Sequence, residues 1–188
     1  TQEMIGNLRA NHYHRYELPL LASPAEFPSR SVPIDPYALG LILGDGCVTG
    51  STTPSFATTD RELAEALQAG LPQMEVVHKR SVNYSLNAKG RPRGNAENPL
   101  SHSLRELGLW GTRSATKFVP EWYRINSAEV RLGVLQGLLD ADGGPVSQAG
   151  RSCRVHCTTT SPQLRDGVLF LVRSLGGVAH RRTRAAEG

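Results

Sequence analysis

The sequence predicts an α+β fold made from one αββαββα unit used twice, and three observations lead there. First, "YALGLILGDGCV" (Tyr37 to Val48) echoes "VLQGLLDADGGP" (Val134 to Pro145): both are apolar, carry a mid-run glycine (Gly40, Gly137) and end in Asp-Gly. Second, the stretches that follow echo each other too, "FATTDRELAEALQAGL" from Phe56 and "CTTTSPQLRDGVLFLVRSLGG" from Cys157. Asp45 and Asp142 lie 97 positions apart and Thr58 and Thr159 lie 101 apart, so the second connection is slightly longer. Self-similarity on this scale marks a module used twice. Third, the elements of the first copy read in the order α-β-β-α-β-β-α, an α+β module with a sheet that could leave one face free.

Each element has a local reason. The first helix opens at Asp35 before Pro36, an acceptor side chain ahead of a proline whose missing N–H costs nothing in a first turn. It runs to Asp45-Gly46, where glycine suits a left-handed stop. A hairpin of about Cys47–Gly50 with Ser55–Thr59 follows, then an amphipathic helix with Leu63, Leu67 and Leu71 on one face. "EVVHK" and "VNYSL" read as two more strands, and "PLSHSLRELGL" as the closing helix. The second copy is capped by Ser127 and runs to Asp142-Gly143. Its hairpin is expected over Val146–Gln148 and Arg154–Thr159, with Leu164, Val168, Leu171 and Leu175 lining its second helix. A third strand of this half is due near "VAHRRTR", so the second copy is expected to be cut short. The boundaries are therefore 1–31 for an upstream segment, 32–126 for the first half and 127–188 for the second.

Composition narrows the class. The 188 residues are 39% hydrophobic with a net charge of +4, and neither a bilayer-spanning run nor the apolar core of a signal peptide is present, so a cytoplasmic protein is expected. Basic residues gather at Lys89, Arg91 and Arg93 and again at "HRRTR", which favours a polyanionic partner, nucleic acid first. Three cysteines indicate no disulfide framework. "CRVHC" does not space its ligands like a zinc site; strand alternation places Cys153, Val155 and Cys157 toward a core, with Arg154 and His156 outward.

The aspartates of "GLLDADGG" sit at the wrong end of a helix for negative charge. Gly40 and Gly44 on one helix, and Gly133, Gly137 and Ala141 on the other, let two helices meet backbone to backbone and bring Asp45 and Asp142 together. Two converging carboxylates suit a hard divalent cation, Mg²⁺, able to polarise a phosphate and activate water. The competing reading is a pair of turn-forming Asp-Gly steps. Asp140 occurs only in the second motif and is expected to support, not to react.

"LGLILGDG" and "LQGLLDADG" resemble the two motifs of LAGLIDADG homing endonucleases, in the single-chain form embedded in inteins; Leu43 stands where the family has its first acidic residue. The resemblance runs from about Val32 to the end. It implies a duplicated αββαββα homing-endonuclease fold with two pseudo-symmetric halves, saddle-shaped antiparallel sheets and Mg²⁺-dependent cleavage of double-stranded DNA. "KFVP" (Lys117 to Pro120) resembles the family's lysine-aliphatic-proline block, which implies a charge-stabilising role for Lys117 beside Asp45 and Asp142. "NLRANHYHRYELPLL" resembles the junction between an intein's splicing region and its endonuclease, but neither end of the chain carries a splicing block. On the saddle, Arg154, His156 and Thr158 are candidates for reading base edges, and Lys79, Lys89, Arg91 and Arg93 for holding phosphates. A monomer is expected, with dimerisation through the shorter half as the alternative. The rival functions are a degenerate relative that binds DNA without cutting it, a transcription regulator on the same fold, and an RNA-splicing maturase.

Overall fold

The computed structural model describes residues 2–17, 19–50, 53–90, 97–146 and 154–184. Arg91, Arg93, Cys153 and the Gln148 end of the second hairpin lie outside them. After a short 3₁₀ turn (Gln2–Met4), the chain forms a small ribbon, β1 (Arg9–Ala10) with β2 (Tyr13–His14). Then come α1 (Pro36–Asp45), β3 (Gly46–Cys47), β4 (Ser55–Ala57), α2 (Arg61–Gly70), β5 (Met74–Arg80), β6 (Asn83–Ala88) and α3 (Pro99–Glu106). A short α4 (Glu121–Arg124) precedes α5 (Ala128–Asp142), β7 (Gly143–Val146), β8 (Arg154–Cys157) and α6 (Pro162–Ser174). The architecture is mixed helix and antiparallel sheet. Among the described residues, no helix is long and apolar enough to cross a membrane.

Helix α1 sits at the centre because its middle, Ala38 to Leu43, has no polar side chain to face water; Tyr37 and Asp45 stand at its two ends. Ala38 to Leu43 are all buried, as expected of a helix apolar all round. Asp35 Oδ1 accepts from the Ala38 N–H at 3.0 Å and Ser127 Oγ from the Val130 N–H at 3.4 Å, so both predicted caps form. One side of α1 packs on α5. Around it, Phe56, Leu67, Leu71, Met74, Leu86, Leu100 and Leu104 from the first sheet and its helices join Val134, Leu138, Leu164 and Leu171 in one continuous core.

The first sheet runs β3-β4-β6-β5, antiparallel throughout, with Phe56 opposite Tyr84 and Ser55 opposite Ser85. Its inner face carries Phe56 and Leu86; Ser55, Ala57, Asn83, Ser85 and Asn87 alternate onto the other. The β7–β8 ribbon pairs Gly143 with Cys157 and Val146 with Arg154.

Several expectations need correction. The Asp-Gly glycines are not left-handed: Gly46 has φ −76° and Gly143 φ −94°, both extended, because each helix passes directly into a strand. They are glycines for room, since a Cβ would lie 2.4 Å from the Ile42 carbonyl oxygen and 2.3 Å from that of Leu139. The left-handed stops are Gly108 after α3 and Gly176 after α6. Strand β7 consequently begins at Gly143, earlier than expected. Val155 does not face a core; it is 61% exposed, because its two-stranded ribbon has no layer against that face. No strand forms over 177–184.

The upstream segment is fastened to the far end of the chain. The Ala25 N–H donates to the Ser174 carbonyl at 2.7 Å. The fully buried Arg131 guanidinium donates to the carbonyls of Asn126, Ser174 and Ala25, and lies over the Phe27 ring. Asn126 pairs with both backbone groups of Arg30, and the Tyr123 hydroxyl bridges the N–H and carbonyl of Ile34.

Candidate functional site

Two helices cannot approach backbone to backbone while side chains stand between them, and here none do. A Cβ on Gly40 would fall 2.4 Å from the Val134 carbonyl oxygen, and one on Gly137 would fall 2.2 Å from that of Tyr37. Gly44 faces the methyl group of Ala141, which a Cβ on Gly44 would meet at 2.5 Å. The helices run side by side in the same direction, so their C-terminal ends coincide. A Cβ on Gly44 would lie 3.5 Å from Asp142 Oδ2, which puts the Asp142 carboxylate beside the residue preceding Asp45.

The two carboxyls feel each other. That of Asp45 is raised above the ordinary range, first by partial desolvation and then by the Asp142 charge, with Lys117 opposing. That of Asp142 is raised by desolvation, again opposed by Lys117.

Lys117 is not a surface residue. It is 5% exposed, and its Nζ donates to the carbonyls of Ile42 (3.0 Å), Leu43 (2.9 Å), Gly44 (2.9 Å) and Gly46 (2.7 Å). Three ammonium protons shared among four carbonyls complete the end of α1, which a helix leaves unsatisfied. Burial pulls the Lys117 ammonium down, while Asp142, Asp45 and Cys47 hold it up. The lysine is itself clamped: Ser161 Oγ, the cap of α6, donates to the Lys117 carbonyl at 2.6 Å. Val119 fits against Gly167 of α6.

Asp140 has a partner across the interface, the Tyr37 hydroxyl, which donates to its Oδ2 at 2.7 Å. Burial, followed by this bond and the Asp140 charge, pushes the phenol up to about 12.

The remaining predicted residues do not converge on this centre. Arg154, His156 and Thr158 are exposed on and just after β8, with the His156 ring against Gly144. Lys79 and Lys89 are exposed at opposite ends of the β5–β6 hairpin, Lys89 following β6 and Lys79 next to the irregularity between His78 and Arg80. Sequence reading missed Ser161 and the row Asn83, Ser85 and Asn87; the alternation in "VNYSLNAK" carries the signal for the row. It also missed Cys47, whose thiol is exposed and is pulled down mainly by its contact with Thr49 Oγ1 at 3.3 Å. Among the described residues, no group of three or more His, Cys, Asp or Glu could hold a metal, so a cation here would have two protein carboxylates. That set still fits Mg²⁺, which is commonly bound through one or two carboxylates with water and phosphate oxygens completing the shell.

The chain is 27% identical over 171 residues to a DNA gyrase subunit of Mycobacterium kansasii, covering 89% of this chain and 30% of that protein. It is 28% identical to the replicative DNA helicase DnaB of Rhodothermus marinus, covering 98% of this chain and 22% of that protein. It is 26% identical to the RecA protein of Mycobacterium tuberculosis, covering 83% of this chain and 21% of that protein. The chain thus spans less than a third of each. The profile of the LAGLIDADG-like domain matches residues 37–122 and 129–188, and the chain belongs to that family.

Proposed function

We propose that this chain is a site-specific DNA endonuclease of the intein-embedded homing type. The observation that carries the reading is the meeting of α1 and α5 through Gly40 and Gly137, which sets Asp142 beside Gly44 and Asp45 with Lys117 buried at the same helix end. The relatives favour an inserted element: one stretch of similar length recurs in a gyrase, a helicase and RecA, a minor part of each, so the shared part is not what those three proteins separately do.

On this reading residues 32–126 and 127–188 are two pseudo-symmetric halves of a duplicated αββαββα fold, with 1–31 leading in from the splicing region. Asp45 and Asp142 would hold Mg²⁺, which when bound supplies charge neutralisation at the phosphate and a more acidic water. Lys117 sets the end of α1 and adds positive charge beside the two carboxylates, stabilising charge that develops on the scissile phosphate. Double-stranded DNA lies over the open sheet faces. Ser55, Asn83, Ser85, Asn87, Arg154, His156 and Thr158 offer short donors and acceptors to base edges. Lys79, Lys89, Arg91 and Arg93 hold phosphates.

The test is cleavage of supercoiled plasmids carrying uninterrupted gyrase, DnaB and RecA coding sequences, with Mg²⁺, beside Asp45→Asn and Asp142→Asn. Specific double-strand cutting lost in both variants supports the reading. Salt-sensitive binding without cutting would support the second reading, a binding-only relative.

A further inference from the structure

The interface that brings the aspartates together is smooth. Where Gly40 faces Gly137 and Gly44 faces Ala141, no side chain larger than a methyl group stands between the helices, so no polar side chain there fixes their register. The end of α1 is tied down by Lys117 on four carbonyls. The end of α5 is tied differently: Asp140, two residues before Asp142, accepts from the hydroxyl of Tyr37 in the first turn of α1. Tyr37 itself is anchored, since Asp35 caps its helix and Ile34 is bridged by Tyr123. The bond is charge-assisted, short and directional, and it spans the two helices diagonally, so a slip of either would break it. In the first motif the same position is Leu43, buried in the core, which needs no polar tie.

We propose that Tyr37 and Asp140 are positioning residues whose hydrogen bond fixes α5 against α1, and thereby sets Asp142 relative to Asp45 for divalent-cation binding. The proposal rests on the endonuclease reading, and it gives the first aspartate of "DAD" a purpose at a helix end that disfavours negative charge.

The test uses the full chain and three variants: Tyr37→Phe, Asp140→Leu and Asp140→Asn, the last keeping an acceptor oxygen for the phenol. Mn²⁺ affinity is measured by electron paramagnetic resonance on the protein alone, and the Mg²⁺ concentration for half-maximal cleavage on DNA. Thermal melts show which variants are folded. Loss of a group hydrogen-bonded to a metal ligand typically weakens metal affinity by about 10- to 100-fold, and Tyr37 and Asp140, which act through α5 and not on a ligand, belong at the lower end. Tyr37→Phe and Asp140→Leu are therefore expected to weaken Mn²⁺ binding roughly tenfold and to raise the Mg²⁺ requirement in parallel, while Asp140→Asn is largely rescued. If wild type binds Mn²⁺ and folded Tyr37→Phe binds it equally well, the positioning role is wrong although the endonuclease reading stands. Asp140→Asn as damaged as Asp140→Leu would also overturn it, since charge and not the hydrogen bond would matter. A wild-type chain that neither binds Mn²⁺ nor cleaves overturns both.

Discussion

Lys117 ties the end of α1, and on the endonuclease reading it also supplies positive charge beside the phosphate. Lys117→Met keeps the apolar stem but removes the donor from the carbonyls of Leu43, Gly44 and Gly46, while that of Ile42 keeps the Gly46 N–H. The expected loss is about 3 kcal/mol, readable by urea denaturation, because stranding buried polar groups costs more than the bond was worth. Cleavage should fall further than this destabilisation explains when assayed where the variant is still fully folded. The carboxylates behave oppositely. Both titrate above the ordinary 3.8 in the folded chain, so the folded state holds extra protons between that value and their folded values. Stability without metal therefore falls as pH rises through that window, and the cost is fully present above it. Asp45→Asn and Asp142→Asn should each raise the melting temperature at pH 7 in chelator and make no difference near pH 3. Adding Mg²⁺ should stabilise wild type and not the variants. At this scale the sequence was partly legible. Asp45 and Asp142 were readable because a repeated motif at a helix end has few structural explanations. The burial of Lys117 was not, since one lysine before a proline turn looks alike on a surface or under a helix end; only its distant partners decide.

Among elements, the α1–α5 contact dominates. Gly137→Ala and Gly40→Ala place a methyl group 2.2 to 2.4 Å from a backbone carbonyl oxygen that cannot move without its helix. Overpacking of this kind is expected to cost about 3 kcal/mol, whereas Gly144→Ala, facing the movable His156 ring at 3.1 Å, should cost under about 1 kcal/mol. Chemical denaturation of the three variants side by side checks the contrast. Helices were legible because caps and apolar faces are local: Asp35, Ser127 and the leucine rows of α2 and α6 formed as read. The extended Gly46 and Gly143 were not, because Asp-Gly has the same letters whether the chain turns back or runs on into a strand. Val155 shows a related limit. Alternation says which side chains share a face, and only the neighbouring layer says whether that face is covered.

For the whole molecule, two features set expectations. The chain carries a net charge of +4, with exposed basic groups at the ends of the first sheet and on β8. If about four phosphates are engaged, affinity for duplex DNA should fall roughly a hundredfold between 50 and 200 mM salt, and Lys79→Ala with Lys89→Ala should flatten that slope without changing site preference. Fluorescence anisotropy at several salt concentrations measures it. The strap formed by residues 25–34, held by Tyr123, Asn126 and Arg131 and by the Ser174 carbonyl of α6, was invisible in the sequence, since Arg131 lies 106 positions from Ala25 and Ser174 lies farther still. The clamp of Ser161 on Lys117, and of Lys117 on α1, has a kinetic consequence. Local opening of α6 frees the segment that caps α1, so the two helices belong to one cooperative opening unit although they are far apart in sequence. Amide protons at the end of α1 should then exchange with solvent at the free energy of opening α6, and Lys117 is held on the α1 carbonyls only while α6 is closed.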